Sequence, residues 1–191
     1  MSICCMNEII ELGPRCHERY FCGVHFPALA PQGIQIAGRS RLAGRYRVAQ
    51  QLGAHLVEIT LEGRGVADAA GRVHALHAGS VLLVPAGQPF RLHSDRGAAW
   101  STAWAHLEVP RWPGFPRQPV LHEGLHVAPL DALFALLDAE RDREDGPSAA
   151  LRRAFADALG HWLQRLVHGA ADAGNRQRGA LASVFERVRA L

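Results

Sequence analysis

The sequence contains no lysine; all 21 of its basic residues are arginine. Set against 18 acidic residues they leave a formal net charge of only +3, and they are scattered along the chain. No dense basic stripe of the kind that tracks a nucleic-acid backbone is present. Long hydrophobic runs are also missing, since none approaches the ~20 residues needed to cross a bilayer. The opening MSICCMNEII has no basic segment followed by a long apolar one, so no signal peptide is expected and the cytoplasm is the default location. Cysteine is scarce and lopsided: Cys4, Cys5, Cys16 and Cys22 all fall within the first 22 residues. With His17 and His25 they could be read as zinc ligands, but their spacing matches no standard finger. Free thiols on an N-terminal arm, residues 1–25, are the expectation.

What is present is an ordinary apolar content of 48% in 191 residues, enough for one packed core. From residue 26 to about 110, short apolar stretches recur between turn residues, as in Leu56–Leu61, Ser80–Val84 and Trp100–Leu107. Glycine or proline breaks each one, which predicts many short strands in a barrel or sandwich. Four prolines between 110 and 119 form an irregular bridge. Near Leu130 the period changes from 2 to 3.6: Leu130, Leu133, Phe134 and Leu137 share one helical face. Gly146-Pro147 ends that helix and starts another, with Leu151, Phe155, Ala158, Leu159, Trp162 and Leu166 along its stripe. Small and polar residues 169–179 then read as a linker. Residues 180–191 begin a third stripe through Leu181, Val184, Phe185, Val188 and Leu191. A helix this short is marginal without a partner, so a truncated start of a further domain is expected there.

Two partial motifs bear on the barrel. Gly79 to Gly87 reads G-x5-P-x-G, and Glu58-x6-Gly65 precedes it. Both resemble the cupin signatures, which imply a double-stranded β-helix barrel. Metal-binding cupins carry histidines at positions occupied here by Leu52, Ala54 and Phe90. His55 is one residue out of register and on a strand faces away from Glu58. Only Glu58 is left of a site that needs three or four convergent ligands, so no metal and no other cofactor is expected. A rival motif is His122-Glu123-Gly124-Leu125-His126, which fits the zinc-peptidase pattern H-E-x-x-H. That chemistry needs both histidines on one helical face. Pro119, Gly124 and Pro129 argue for a loop and short strand instead.

The wider pattern resembles the N-terminal domain of AraC-type transcription regulators. The carriers are Ala37-Gly-Arg-Ser-Arg41, Tyr46-Arg-Val48, Thr60 to Gly65, the Pro85–Gly87 turn and Trp100-Ser-Thr-Ala-Trp-Ala-His-Leu107. The resemblance spans residues ~30–191 and implies a mainly β fold with α. Its parts would be a cupin-like ligand-binding barrel over 26–129, an antiparallel helical dimerisation hairpin over 130–168, a linker, and the start of a DNA-binding domain at 180. It also implies a small, possibly sugar-like effector and a homodimer, with DNA bound only through a missing C-terminal domain. Trp100, Thr102, Trp104 and His106 alternate and so share one strand face, and Glu58 and Thr60 share a parity. Trp104 matches an indole that stacks on the sugar in the arabinose-sensing member, while Gln50, Thr102 and Leu92 fall at other sugar-contact positions and argue against arabinose itself. The candidate ligand-binding set is Gln50, Glu58, Thr60, Phe90, Leu92, Thr102, Trp104 and His106, facing an uncharged or weakly polar molecule. Leu151, Phe155, Leu159, Trp162 and Leu166 are the candidate dimer interface. The competing reading is an enzyme, either a metal-independent cupin such as a sugar isomerase using Glu58 with His106 or His93, or a zinc peptidase.

Overall fold

The computed structural model describes residues 9–23, 26–95, 98–143 and 145–189, with side chains between residues 10 and 169. Ten strands run β1 Ile9–Leu12, β2 Cys16–Cys22, β3 Ile34–Leu42, β4 Tyr46–Gln51, β5 His55–Ala69, β6 Arg72–His77, β7 Val81–Val84, β8 Pro89–Ser94, β9 Trp100–Leu107 and β10 Val120–His122. Two helices follow, α1 Ala128–Ala139 and α2 Gly146–Arg189. Every strand pair is antiparallel. The fold is a cupin-like β-barrel followed by a helical hairpin, as expected.

The long strand β5 holds the barrel together because it belongs to two leaves. Its first half lies between β7 and β9, and its second half between β6 and β8. One leaf therefore runs β1-β4-β8-β5-β6 and the other β2-β3-β9-β5-β7-β10. The register slips between Thr60 and Glu62, where a bulge bends the strand. Gly63 sits there at φ 72°, and a Cβ on it would stand 1.9 Å from the Ala99 carbonyl oxygen, so only glycine fits. The P-x-G segment makes the turn from β7 to β8, with Gly87 N–H donating to Leu52 O at 2.8 Å.

Two cores lie on opposite faces of the second leaf. Inside the barrel, Leu42, Leu56, Leu82, Phe90, Leu92 and Trp100 pack together. On the outer face, Val57, Ile59, Leu83, Ala103 and Ala105 meet Phe134, Leu137, Leu159 and Leu163 of the helices. A leaf buried on both sides explains apolar runs such as Val81–Val84, where alternation is lost.

Three expectations need correction. The barrel expected over 26–129 begins earlier, within the arm: β1 pairs with β4, and β2 pairs with β3 along its whole length. Its sequence hid this because one face of β2 meets a polar site and the other a charged helix. The second concerns residues 169–179, which are helical backbone within α2 and not a linker. Alanine is frequent there, and isolated glycines in a helix cost only ~1 kcal/mol each. The third concerns Leu159, which is fully buried against its own chain. The inward line of α2 is Ala156, Leu159, Leu163 and Val167; Leu151 is exposed, and Phe155, Trp162 and Leu166 are half-buried beside it. Both lines are apolar, so periodicity alone did not say which faces in. Side chains of the third stripe, Leu181 to Leu191, lie outside the described residues, as do Cys4, Cys5 and His25.

Candidate functional site

The barrel holds a cavity of about 190 Å³ that opens to solvent beside Ile10 and Tyr20. Alternation supplies its walls: Tyr46, Val48 and Gln50 from β4, Leu56 and Glu58 from β5, Phe90 and Leu92 from β8, Trp104 and His106 from β9. Six of the eight expected ligand-binding residues thus line one space. The other two, Thr60 and Thr102, are fully buried and lie off it. Thr60 Oγ accepts a hydrogen bond from the Trp100 indole at 3.2 Å, and Thr102 hydrogen-bonds Glu58. Trp100 belongs to the barrel core and is not a wall of the cavity.

Trp104 is held by three features. Gly38 lies opposite it on β3, and a Cβ there would come within 2.6 Å of the indole, so the missing side chain makes the seat for the ring. The indole N–H donates to Ser40 Oγ at 3.0 Å, and Ser40 Oγ donates to Glu18 at 2.9 Å. The His106 ring stands 5.3 Å from it, tilted by 40°. The glycine and serine of Ala37-Gly-Arg-Ser-Arg41 therefore position the aromatic wall. Their neighbours Arg39 and Arg41 point away by strand parity, and Arg39 pairs with Asp131 of α1.

Sequence reasoning missed the contributions of β1 and β2. Ile10, Glu18 and Tyr20 complete the cavity. β2 faces two ways: Glu18 and Tyr20 reach the cavity, while Arg19 pairs with Asp138 of α1 at 2.9 Å and Phe21 enters the outer core. Tyr46 was also missed, although it shares the parity of Gln50 on β4.

Burial sets the protonation of this site. It pushes the Glu58 carboxyl up to about 8; the bond to Thr102 pulls it down, and the charge of Glu18 adds to the rise. Burial pushes His106 down to about 4. The Tyr46 phenol is raised, by burial first and then by Glu58, Glu18 and Cys16. At neutral pH Glu58 is an acid and His106 a free base. This yields a stability profile. Above pH 6.5 the unfolded chain has lost the Glu58 proton while the folded chain keeps it to about 8. Stability should therefore fall by about 2 kcal/mol between pH 6.5 and 8. Below 6.5 the lowered values of His106, His55 and His122 act the other way, because the unfolded chain takes up those protons first. Denaturant titrations of wild type and Glu58→Gln check this. The alkaline decline should be absent in the variant, and an unchanged slope would overturn the assignment.

The alternative centres come apart. His122 ends β10 and Gly124 adopts φ 68°, so His122 and His126 do not share a helical face. His55 stacks on Phe115 at 4.1 Å, away from Glu58, and its Nδ1 accepts from Ala86 N–H. His93, the other histidine weighed beside Glu58, lines the outer groove with Arg45, Arg47 and Arg91. Cys16 and Cys22 sit at opposite ends of β2, roughly 20 Å apart at ~3.3 Å per residue. Among the described residues no three His, Cys, Asp or Glu side chains gather as a metal would require. No helix there is long and apolar enough to cross a membrane.

Fold and site together define a cupin-like barrel with a mostly apolar internal cavity carrying a few convergent polar groups. Residues 36–163 match the model of the AraC-like ligand-binding domain, about two thirds of the chain, and the protein belongs to that family. No curated protein matches it. Among solved structures it is similar to a protein of unknown function from Rhizobium leguminosarum, at 21% identity and TM-score 0.40 over 50% of this chain and 84% of that one. A predicted oxalate decarboxylase from Thermotoga maritima is similar at 13% and 0.44, over 53% and 91%. A cupin superfamily protein from Desulfitobacterium hafniense is similar at 15% and 0.42, over 52% and 84%.

Proposed function

We propose that this chain is the sensory part of a transcription regulator, and that a small molecule binding inside the barrel is its signal. The observation that carries this reading is the cavity itself, with a half-buried indole seated on Gly38 and polar groups converging beside it. Aromatic walls with a few fixed polar groups are what small-ligand sites consist of. Family membership supports the regulatory setting. In this reading Glu58, Gln50 and His106 orient the ligand, Trp104, Phe90 and Leu92 cover its apolar surface, and Thr60 and Thr102 brace the floor. The outer apolar line of α2, Leu151, Phe155, Trp162 and Leu166, joins two copies in a homodimer, and DNA is read by a further domain.

The reading is tested by indole fluorescence during ligand screening. Trp104→Ala should reduce binding of any hit at least tenfold while the far-ultraviolet circular dichroism stays that of wild type. A hit that binds Trp104→Ala as tightly as wild type would move the site out of the barrel.

A further inference from the structure

The cavity wall contains two carboxylates, Glu58 and Glu18, and no arginine among its described residues, although the chain has 21. Strand parity accounts for the exclusion. Arg19, Arg39, Arg47 and Arg91 alternate with wall residues Tyr20, Tyr46, Val48, Phe90 and Leu92 or with the indole-holding Ser40, and so turn outward. Glu58 is 4% exposed, and among the described residues no arginine or lysine lines the cavity beside it. Burial keeps the proton on Glu58 at neutral pH, and ionising it with no cation beside it would cost stability that a glutamine of the same shape avoids. Glu18 is exposed at the mouth of the same space, so a carboxylate or phosphate that enters meets like charge there. A cation placed between the two lets Glu58 ionise. The remaining walls suit one as well, because the faces of Trp104, Tyr20 and Phe90 attract positive charge.

We propose that the molecule sensed here is a small organic cation, an alkyl- or arylammonium whose charged head sits between Glu58 and Glu18 and whose apolar body lies against Trp104 and Phe90. The proposal rests on the sensory reading above and replaces the uncharged ligand expected when Glu58 was the one carboxylate in view. A cavity of about 190 Å³ has room for a small molecule the size of a short amine. The titratable groups facing Glu58 are Glu18 of β2, Tyr46 of β4 and His106 of β9. His106 is neutral at physiological pH and does not compete with the ligand for the carboxylates. Binding then draws the proton off Glu58 and releases it to solvent.

The test uses the whole 191-residue chain and three matched probe classes: butylamine and choline, their neutral isosteres pentane and 3,3-dimethylbutanol, and the anion butyrate. Calorimetry in buffers of different ionisation heat reads affinity and proton release together. The ammonium probes should bind at least tenfold more tightly than their isosteres at pH 8. Their affinity should rise by up to tenfold per pH unit between 6 and 8, with close to one proton released at the lower end. Glu58→Gln should flatten that dependence and reduce ammonium affinity at least tenfold, and Glu18→Gln should reduce it by less. Isosteres that bind as tightly as the ammonium probes, without proton release, overturn the cation while leaving the sensory cavity in place. Butyrate as the preferred probe overturns it too. If none of the classes alters Trp104 fluorescence, the cation and the sensory reading fall together.

Discussion

Leu159→Glu should unfold the protein. Leu159 is fully buried in the core shared by the helices and the outer face of the second leaf. A carboxylate placed there has no cation to meet, and burying an unpaired charge costs more than ~4 kcal/mol. Typical domains hold only about 5–15 kcal/mol in total. The expected result is loss of the cooperative thermal transition, or its fall to ambient temperature. Leu151→Glu is the matched control, because Leu151 is 43% exposed and its replacement should change stability by no more than ~0.5 kcal/mol. The pair also separates folding from association. If the outer line of α2 joins two copies as proposed, Leu151→Glu and Trp162→Glu should keep the fold and lower the mass read by light scattering to that of one chain. If Leu159→Glu folds as well as wild type, the placement of α2 is wrong. A dimer unmoved by Leu151→Glu and Trp162→Glu takes the outer line out of the interface.

Trp100→Ala should cost 3–5 kcal/mol, the range for removing a large aromatic from a core. The ring is 1% exposed and meets Tyr46 edge-on at 5.9 Å. Gly65 has no side chain because the indole fills its space: a Cβ there would stand 2.6 Å away. Truncation also leaves Thr60 Oγ without its donor. The β5 bend beside Gly63, paired with Trp100 across the sheet, loses its support at the same time. Equilibrium urea unfolding measures the loss, and a change below about 1 kcal/mol would be incompatible with this core. Trp104→Ala should cost far less, since that ring is only half-buried and faces a cavity. Two tryptophans four residues apart on one strand face thus separate into one buried in the core and one on the cavity wall.

That pair shows what the sequence could and could not convey. Strand alternation put Trp100, Thr102, Trp104 and His106 on one face, and it was right to do so, but alternation does not report depth. Depth is decided by what lies opposite: glycine at 65 lets Trp100 sink into the core, and Ser40 with Gly38 holds Trp104 at the cavity. The change of period near Leu130 announced the helices because each buries a single stripe. α2 was harder, since it carries two apolar lines and the choice between them depends on small partners. Ala156 and Gly160 admit the turn Pro27–Gln32, and Gln32 donates to Asp157 at 2.7 Å across that contact. β2 was illegible for a different reason. Glu18 belongs to the cavity and Arg19 to an ion pair with Asp138, so neither face presents the apolar rhythm by which strands are recognised.

The shortest segment of the cavity wall is β1. Among the described residues β4 is its one partner, over four residues, and Ile10 stands 51% exposed with one side toward the cavity. Local opening free energies range from near zero at weakly tethered edges to the full unfolding value in the centre of a sheet. The amides of β1 should therefore exchange with solvent hydrogen long before those of β5, which is paired on both sides. Detachment of these four residues would widen the mouth of the cavity, and a bound molecule would then leave more readily. Residence time would then follow how often β1 lifts from β4, and affinity would follow the contacts within, so the two could be altered by substitutions on different strands.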